Sequence, residues 1–437
     1  MTRLARLAAE TVNSGPPTSG QDGLTTLETA IRAAMTTIGA RLLEDLLAAE
    51  AGYLGPRIDC GAGHHAVFAG YRAKRLDTVL GPLRLARGYY HCSACRRGVV
   101  PRDDQLGITA ASLSPGLRTM IDTAAAAVPF AQAQSLLAEL AGITLDTKRV
   151  ERAAEADGLA AAAELAARTR AILSGRLVPP TPTAPEAGML YLAVDGTGVP
   201  MTGAETAGRA GKGPDGRART REAKLAALFT QTQTTEDGHP IRDPHSTSYL
   251  ATLDPVETFT DLLDAAARQR GSQRIRQVVV LGDGARWIWN LADQRFPAAT
   301  QIVDLYHARE HLHALADLLA FIIDDRGSWL TERLTELDNG NIEAISAAAR
   351  TYQLDGPKAH ELDVAVGYFE HNAHRMRYAH YRSLGMFVGS GVVEAGCKTV
   401  IGARLKRSGM HWTARGATAI TTLRCTHASA QWTRTAA

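Results

Sequence analysis

The feature of the sequence that most constrains the fold is a change of pattern across a Pro-rich segment, SGRLVPPTPTAPEAG at 174–188. Before it, at 114–172, apolar residues recur at helical spacing. After it, short β-branched runs such as RQVVVLG alternate with helical stretches, and this alternation is typical of α/β domains. Pro-rich segments of this kind commonly link domains. The sequence therefore predicts an α/β domain from residue 189 onward.

The part of the chain before the Pro-rich segment is itself divided. A helix is indicated at 24–53, where apolar residues follow the helical repeat at Leu27, Ile31, Met35, Ile38, Leu42 and Leu46. Residues 56–102 instead hold short β-like runs broken by Gly and Pro. With 437 residues, the chain is long enough for two or three domains. The predicted segments are a disordered lead and helix at 1–55, a β-rich module at 56–105, a helical region at 110–173, the linker at 174–188, and the α/β domain at 189–437 with an all-helical stretch at about 326–385.

The charge of the chain is small in total but uneven along its length. The net charge is +3, yet residues 56–102 hold nine Lys and Arg against two acids, and residues 208–224 hold six against two. A third basic region follows Glu394. Local positive patches on a nearly neutral chain predict a polyanionic partner, and nucleic acid is the partner we expect.

The hydropathy pattern indicates a protein that does not enter a membrane. No apolar run approaches the roughly 18–20 residues that a membrane-spanning helix requires. The N-terminus, MTRLARLAAETVNSGPP, has no secretory apolar region. We therefore expect a cytoplasmic location.

The five cysteines do not form the pattern of a disulfide framework. Cys92 and Cys95 form a CxxC on a predicted hairpin tip, and Cys60 lies about thirty residues upstream, followed by His64 and His65. These residues predict a tetrahedral structural zinc site, with His64 or His65 as the fourth ligand, that stabilises a small module with little core. One alternative is a redox CxxC, but the βαβ pattern that accompanies it is missing. The other is a pair of reduced thiols on a loop.

Three acidic residues stand where strands end or a helix begins. Asp195, in LAVDGTG, and Asp283, in VVVLGDG, each follow an apolar run and precede a glycine. Glu394 follows a Gly-Ser-Gly break near the start of a predicted helix. Three converging carboxylates suit the hard cations Mg²⁺ and Mn²⁺, and a two-metal site catalyses in-line phosphoryl displacement. The three acids therefore predict metal-dependent nuclease or strand-transfer chemistry.

The sequences VDGT and GDG also resemble the motifs of haloacid-dehalogenase-type phosphatases. Those enzymes use a nucleophilic Asp two residues before the Asp of the DGT turn. Ala193 occupies that position here and cannot carry a phosphoryl group. The covalent phosphatase mechanism is therefore disfavoured.

Basic residues near these motifs are candidates for contact with DNA. The segment 129–158 reads as a helix, a break at Gly142, and a second helix capped by Asp146, which is a helix-turn-helix pattern. The segment GRAGKGPDGRARTREAK predicts a glycine-rich loop that grips phosphates. The predicted DNA-binding residues are Lys148, Arg149, Arg152, Arg209, Lys212, Arg217, Arg219, Arg221, Arg404, Lys406 and Arg407.

Several long stretches of the sequence resemble one family. They are LAVDGTGVPM, GRARTREAKLAALFTQT, RDPHSTSYLATL, GDGARWIWNLADQRFPAATQIVDLYHAREHL, FVGSGVVEAGCKTVIGARLKRSGMHWTARGATAI and, nearer the N-terminus, GYRAKRLDTVLGPLRLARGYYHCSACRRGVVP. The chain is similar in these stretches to the DDE transposases of bacterial insertion sequences, in particular the IS-Kra family, which is related to Mutator-like transposases. The resemblance covers most of residues 56–424. The family's first cysteine pair is a CxxC, whereas Cys60 here is followed by histidines.

The resemblance implies an RNase H-like catalytic core with a helical insertion between the second Asp and the Glu, and an N-terminal zinc-ribbon-like region. It implies the catalytic triad Asp195, Asp283 and Glu394, with Asp304 as the alternative second acid and His307 as a supporting residue. The expected activity is cleavage of insertion-sequence ends and joining of the 3′-OH to target DNA. Mg²⁺ or Mn²⁺ is the implied cofactor, and terminal inverted repeats, target DNA and further copies of the chain are the implied partners.

Two other functions remain open at the level of the sequence. A sequence-specific DNA-binding protein derived from a transposase would keep the basic regions but not cleave. A nuclease without strand transfer would cleave but produce no joined product.

Overall fold

The computed structural model describes residues 23–108, 111–179, 188–211 and 216–429. The chain divides into two compact units, Met1–Asp157 and Gly158–Ala437. The division lies inside a long helix at Thr147–Leu173, whereas the Pro-rich sequence predicts the main boundary at 174–188, of which 180–187 are outside the described residues. A local reason is the close approach at Gly158, where a Cβ atom would lie 2.3 Å from the carbonyl oxygen of Ala419.

The N-terminal unit combines helices with a small antiparallel sheet of order β1-β2-β3-β4. Its elements are α1 (Gly23–Ala48), β1 (Arg57–Asp59), β2 (His65–Thr78), β3 (Gly81–Cys92), β4 (Arg97–Val99), α2 (Pro101–Gln105), α3 (Pro115–Ala127), α4 (Phe130–Ala141) and the first part of α5 (Thr147–Leu173). Alternating burial along β3 places one face of the hairpin on a core and leaves the other face exposed.

The break between α4 and α5 follows the expected local chemistry. Gly142 ends α4 in the left-handed conformation, with φ at 68°. The Asp146 carboxylate accepts a hydrogen bond of 2.8 Å from the backbone N–H of Arg149 and so caps the start of α5. The helix, turn and second helix that the sequence predicts are therefore present.

The C-terminal unit is built on a mixed sheet flanked by helices. Its elements after α5 are β5 (Met189–Pro200), α6 (Gly203–Thr206), β6 (Thr220–Gln231), β7 (Gln233–Thr234), β8 (Pro240–Ile241), β9 (Ser248–Thr252), α7 (Val256–Gln269), β10 (Gln277–Gly282), α8 (Arg286–Arg295), β11 (Thr300–Val303), α9 (Leu305–Leu319), α10 (Arg326–Asn339), α11 (Ile342–Arg350), α12 (Pro357–Asn372), a 3₁₀ turn (Ala373–Arg375), α13 (Tyr378–Ser383), α14 (Gly391–Gly396), a π-helical turn (Cys397–Gly402), α15 (Ala403–Leu405) and α16 (Ala414–Ala428).

The main sheet has the order β11-β10-β5-β6-β9. Strand β6 pairs antiparallel with β5 on one side and with β9 on the other. Strand β10 pairs parallel with β5, and β11 pairs parallel with β10. The central position of β5 explains its continuous apolar run, because residues 189–194 are buried on both faces of the sheet. The predicted α/β class is confirmed as a mixed α/β architecture with a mixed sheet.

The stretch between β11 and Glu394 is helical in the structure. It contains α9 to α13, and no strand occurs there, all of its residues being described. This matches the helical stretch that the sequence predicts at about 326–385. Separately, none of the helices in the described ranges combines the length and apolarity needed to cross a membrane.

Candidate functional site

Three acids lie at one edge of the main sheet. Because β5, β10 and β11 run parallel, their carboxyl ends meet at the same edge. Asp195 lies in the second half of β5, Asp283 follows the last residue of β10, and Asp304 follows the last residue of β11. The pairing of β5 with β10 ends at Ala193 and Leu281, so Asp195 and Asp283 each stand two residues beyond the last pair.

Asp195 is half-buried, and its carboxylate is held from two sides. The backbone N–H of Gly196 donates a hydrogen bond of 2.7 Å to it, and the Cys397 thiol donates a second. Burial raises the pKa of Asp195, and the negative charge of Asp283 raises it further, while Cys397 and His307 act in the opposite direction. This mutual repulsion of Asp195 and Asp283 is the situation that a bound cation relieves.

Asp283 lies in a tight turn. Its carboxylate accepts a 2.8 Å hydrogen bond from the backbone N–H of Ala285, and Gly284 adopts a φ of 101°. The Tyr368 hydroxyl donates a 3.0 Å hydrogen bond to the Asp283 carbonyl oxygen, and a Cβ at Gly284 would lie 2.6 Å from the Tyr368 ring. Gly284 is therefore required by both its conformation and its neighbour.

Tyr368 was not foreseen from the sequence. It comes from α12, in the helical stretch, and its ring stacks on His311 with centroids 3.7 Å apart. A single tyrosine in an otherwise ordinary helix carries no sequence signal for this role. Its position is decided by the packing of α12 near the sheet edge.

Asp304 is fully buried and ionised. Its carboxylate caps α9 by accepting a 2.8 Å hydrogen bond from the His307 backbone N–H, and it accepts another from the Ser390 backbone N–H. Burial alone would raise the pKa of Asp304, but the hydrogen bonds from His307 and Ser390 outweigh it and lower the pKa.

His307 is the counter-charge of this acid. Its Nδ1 lies 3.5 Å from Asp304 Oδ1, and this pairing raises the pKa of His307 to about 9. The imidazole is therefore protonated at neutral pH. Because Asp283 also acts on this pKa, His307 lies within electrostatic reach of both acids.

Glu394 on α14 completes the group. Its carboxylate accepts a 3.4 Å hydrogen bond from Ser390 Oγ and lies 4.0 Å from Lys398 Nζ. Ligand atoms of Asp304, His307 and Glu394 lie within 4.8 Å of one another, so that one metal ion could take all three once the His307 imidazole has released its proton. The structure thus brings Glu394 close to Asp304, the alternative second acid. Asp283 instead interacts electrostatically with Asp195.

Cys397, one turn beyond Glu394, connects the two pairs. It is buried, its thiol bonds to Asp195, and its own pKa is raised by burial, by Asp195 and, to a lesser extent, by Glu394. Its contact with the first acid depends on the docking of α14 and the following π-helical turn against β5.

The cysteine cluster of the N-terminal unit has the composition of a zinc site. Cys60 follows β1, Cys92 ends β3, and Cys95 lies in the turn before β4. The Cys60 and Cys95 sulfurs are 3.6 Å apart, and His64 Nδ1 lies 3.3 Å from Cys95 Sγ. Ligand atoms of Cys60, His64, Cys92 and Cys95 all lie within 4.8 Å of one another, so this cluster has the donors for a structural metal such as zinc. His64, rather than His65, is the histidine of the cluster.

The thiols of this cluster are crowded. Hydrogen bonds with Cys92 and Cys60 raise the pKa of the Cys95 thiol to about 11. None of the cysteines, all of which lie in the described ranges, forms a disulfide. A divalent cation bound to the sulfurs would remove the repulsion that disfavours several thiolates at one place.

The basic residues of α5 are partly engaged by acids of their own unit. Lys148 Nζ lies 2.9 Å from Glu151, and Arg149 Nη1 lies 2.6 Å from Asp77. Arg152 is exposed. Of the three predicted DNA contacts on this helix, Lys148 and Arg152 are exposed, whereas Arg149 is half-buried.

The loop between β5 and β6 presents further basic residues. Arg209, Arg217 and Arg219 are exposed, whereas Arg221 is half-buried and lies 3.6 Å from Glu205. Lys212 lies outside the described residues. The base of the loop is closed by a 3.0 Å hydrogen bond from Ala218 N–H to the Arg209 carbonyl. The loop continues from the end of β5 that carries Asp195.

The basic residues after Glu394 have different positions. Arg404 is fully buried beneath Trp412, 5.0 Å from the ring centroid, and burial lowers its pKa to about 10. The prediction of a DNA contact from Arg404 is therefore wrong, because its guanidinium packs inside the unit. Lys406 and Arg407 are exposed, and Lys406 donates a hydrogen bond to the hydroxyl of Thr197, two residues beyond Asp195.

No family model matches the chain, and no curated protein matches it.

Proposed function

We propose that this protein is a DNA transposase that cuts the ends of an insertion sequence and joins the freed 3′-OH to target DNA. The observation that carries the proposal is the convergence of Asp195, Asp283, Asp304 and Glu394 at one end of the main sheet, beside exposed basic residues. A site with this many carboxylates suits a divalent cation, and basic residues suit a phosphate backbone.

The architecture of the C-terminal unit supports an RNase H-like core. Three antiparallel strands in sequence, β5, β6 and β9, are extended by the parallel strands β10 and β11 on the other side of β5. The proposal of an RNase H-like core rests on this strand order and on the parallel addition of β10 and β11 to β5. The helices between β11 and Glu394 stand where the resemblance to DDE transposases predicts an insertion.

The carboxylates fit Mg²⁺ or Mn²⁺ as the cofactor. Their oxygens are the hard ligands that these ions prefer. Burial and, to a smaller extent, the negative charge of Asp283 raise the pKa of Asp195, and a bound cation would favour its ionised form. Asp195, Asp283 and Glu394 are the residues that would hold the ions, with Asp304 adjoining Glu394. Such ions supply charge to the attacking and leaving oxygens of a phosphoryl transfer.

The remaining residues position these acids and the substrate. Cys397 and the Gly196 N–H fix the orientation of Asp195, and Tyr368 fixes the turn of Asp283. His307, held by Asp304, adds a positive charge beside the acids. Exposed residues of the loop between β5 and β6, together with Lys406, would hold the DNA backbone along the end of β5 where Asp195 lies.

The N-terminal unit would contribute recognition of the DNA ends. We propose that zinc bound by Cys60, His64, Cys92 and Cys95 stabilises the hairpin module, and that the module and α5 contact the terminal inverted repeats. The module carries the strongly basic part of the sequence, 56–102.

The test is a cleavage and joining assay on DNA that carries the inverted repeats found around the coding sequence. The wild-type protein with Mn²⁺ should produce nicked ends and joined products, because two-metal chemistry performs both steps. Asp195→Asn should abolish both while retaining DNA binding. The matched control is Asp355→Asn, an acid in the loop before α12 at an exposed site.

The outcomes separate the alternatives. Wild-type protein that binds the repeats but never cleaves them is a DNA-binding protein and not a transposase. Cleavage without joined products indicates a nuclease. Cleavage that survives Asp195→Asn contradicts the assignment of this acid.

A further inference from the structure

Helix α1 has an apolar stripe on the side that faces solvent. The stripe consists of Leu24, Ile31, Met35, Leu42 and Leu46, whose residues are 69, 43, 59, 51 and 66% exposed. Spacings of seven and four residues place them within about 40° of one line along the helix at 3.6 residues per turn. The stripe therefore runs almost the whole length of α1.

The opposite side of α1 is already packed. Ala34 and Ala40 are buried, and Leu43 and Leu47 contact the core formed by residues of β2, β3 and Ile108. A helix that is apolar on both sides is normally covered on both sides. Monomeric proteins rarely expose a contiguous apolar patch of more than a few hundred Å² without an interaction that uses it.

The spacing of the stripe indicates what covers it. Leu24 and Leu46 are each eleven residues from Met35. The half-buried Leu27 and the exposed Leu42 are eight and seven residues away on opposite sides, and Ile31 and the half-buried Ile38 are four and three residues away. Apolar positions therefore lie at matching distances on both sides of Met35, so an antiparallel copy related by a two-fold axis at Met35 places apolar residues against apolar residues along the whole stripe.

The length of the helix agrees with such an interface. A helix of 26 residues is about 39 Å long and about 10 Å wide with its side chains. Two copies in contact along this length bury an area of the order of the 1,000 Å² that separates specific interfaces from incidental contacts.

We propose that the stripe on α1 is a homodimer interface, in which α1 of a second copy of this chain packs antiparallel against it with Met35 at the two-fold axis. The proposal is independent of the proposed catalytic function, because it uses no residue of the acidic site. It assigns a surface to the self-association that the resemblance to DDE transposases implies.

The first test is the mass of the full chain in solution at several concentrations, measured by light scattering or sedimentation. The wild-type protein should be a dimer. Met35→Glu places charges at the axis and should raise the dissociation constant at least tenfold, giving monomer. Thr37→Glu, at an exposed position on the other side of the same helix, is the matched control and should remain a dimer.

A second test gives the orientation and does not depend on a disruptive variant. Met35→Cys should be joined to its copy by a short bis-maleimide, because the two residues meet at the axis. Leu24→Cys alone should not be joined, since antiparallel copies place these positions about 33 Å apart. Co-expressed Leu24→Cys and Leu46→Cys chains should be joined to each other, and the wild-type chain gives the background from its own cysteines.

Three results would overturn the proposal. They are a wild-type monomer at all concentrations, a dimer that persists unchanged in Met35→Glu, and crosslinking of Leu24→Cys to itself, which is the mark of parallel pairing. A monomer in which Met35→Cys reacts slowly with a single maleimide would place residues 1–22 of the same chain on the stripe instead.

Discussion

At the scale of the residue, the candidate site depends on the charges of Asp304 and His307. Asp304 is buried yet ionised because backbone and imidazole donors surround it. His307 is protonated because that acid lies 3.5 Å away. The pair therefore brings its own positive charge to a site that otherwise gathers carboxylates.

This pairing predicts a dependence of stability on pH in the metal-free protein. The folded-state pKa of His307, about 9, lies above its ordinary value of 6.5, so the native state binds the proton more tightly than the unfolded state. The resulting stabilisation is complete below about pH 6.5 and is lost as the pH rises through 9. We expect it to amount to roughly 1 kcal/mol, because partial exposure screens the pair.

The measurement is the free energy of unfolding in urea, with a chelator, at pH 6 and pH 9.5. The free energy of unfolding of the wild-type protein should exceed that of His307→Gln at pH 6, and this difference should be lost at pH 9.5. His360→Gln, at an exposed position, controls for the substitution itself. A difference between wild type and His307→Gln that does not change with pH would contradict the pairing.

At the scale of the element, the position of Glu394 depends on how closely α14 approaches the sheet. A Cβ at Gly396 would lie 2.7 Å from the ring of Tyr249 and 3.0 Å from Leu225. The absence of a side chain at this position lets the helix that carries Glu394 lie on β6 and β9. The same docking carries Cys397 to Asp195.

Gly396→Ala should therefore destabilise the protein by about 1–3 kcal/mol, the usual cost of overpacking a filled site. It should also weaken the binding of Mn²⁺, because Glu394 moves with the helix. Gly391→Ala is the matched control on the same helix, since a Cβ there meets nothing within 4 Å. Thermal unfolding and Mn²⁺ titration measure the two effects, and equal behaviour of the two variants would refute the close-approach argument.

The cluster of Cys60, His64, Cys92 and Cys95 gives a second prediction at this scale. If it holds the proposed zinc, removal of the metal with a strong chelator should lower the thermal stability of the N-terminal unit, because the cluster joins β1 to the turn between β3 and β4. His64→Ala should weaken zinc binding, whereas the neighbouring exposed His65→Ala should not. Zinc content after dialysis against a weak chelator measures this, and an equal loss in both variants would exclude His64 as the specific ligand.

At the scale of the whole molecule, charge is distributed so that a nearly neutral chain presents local basic surfaces. Exposed Arg217 and Arg219 lie directly before β6, which pairs with the half of β5 that carries Asp195, and Lys406 is bonded to Thr197 of β5. Binding to DNA through such residues releases counterions and weakens as salt is added.

In a plot of the logarithm of the DNA-binding constant against the logarithm of the salt concentration, Arg217→Ala should reduce the steepness of the slope by about 0.9 if the residue neutralises one phosphate. Arg326→Ala is the control. The guanidinium of Arg326 lies 2.5 Å from Asp317, so this variant should leave the slope unchanged. DNA-binding titrations at four or more salt concentrations measure the slope. An unchanged slope in Arg217→Ala would exclude a contact between this residue and a DNA phosphate.

Much of this protein could be read from local sequence patterns. Apolar runs that end in an acid and a glycine predicted the strands carrying Asp195 and Asp283, because strand propensity and breaker residues act over a few positions. The spacing of Cys60, Cys92 and Cys95 and of the histidine pair predicted the cluster that the structure contains, since a hairpin returns the chain to its starting point within about thirty residues, but only the structure distinguished His64 from His65. Periodicity likewise predicted helix α1, which the structure has at Gly23–Ala48.

Only the tertiary structure decided which of these features meet. Asp304 and Glu394 are ninety residues apart in sequence, and Tyr368 reaches Asp283 from a helix with no distinguishing pattern. Arg404 is buried although its basic neighbours are exposed, and the apolar stripe of α1 faces outward although its periodicity is that of a buried face. The physical reason is the same in each case. Local sequence determines that an element forms and which residues share a face, whereas packing between distant elements determines which face is covered and which side chains come together.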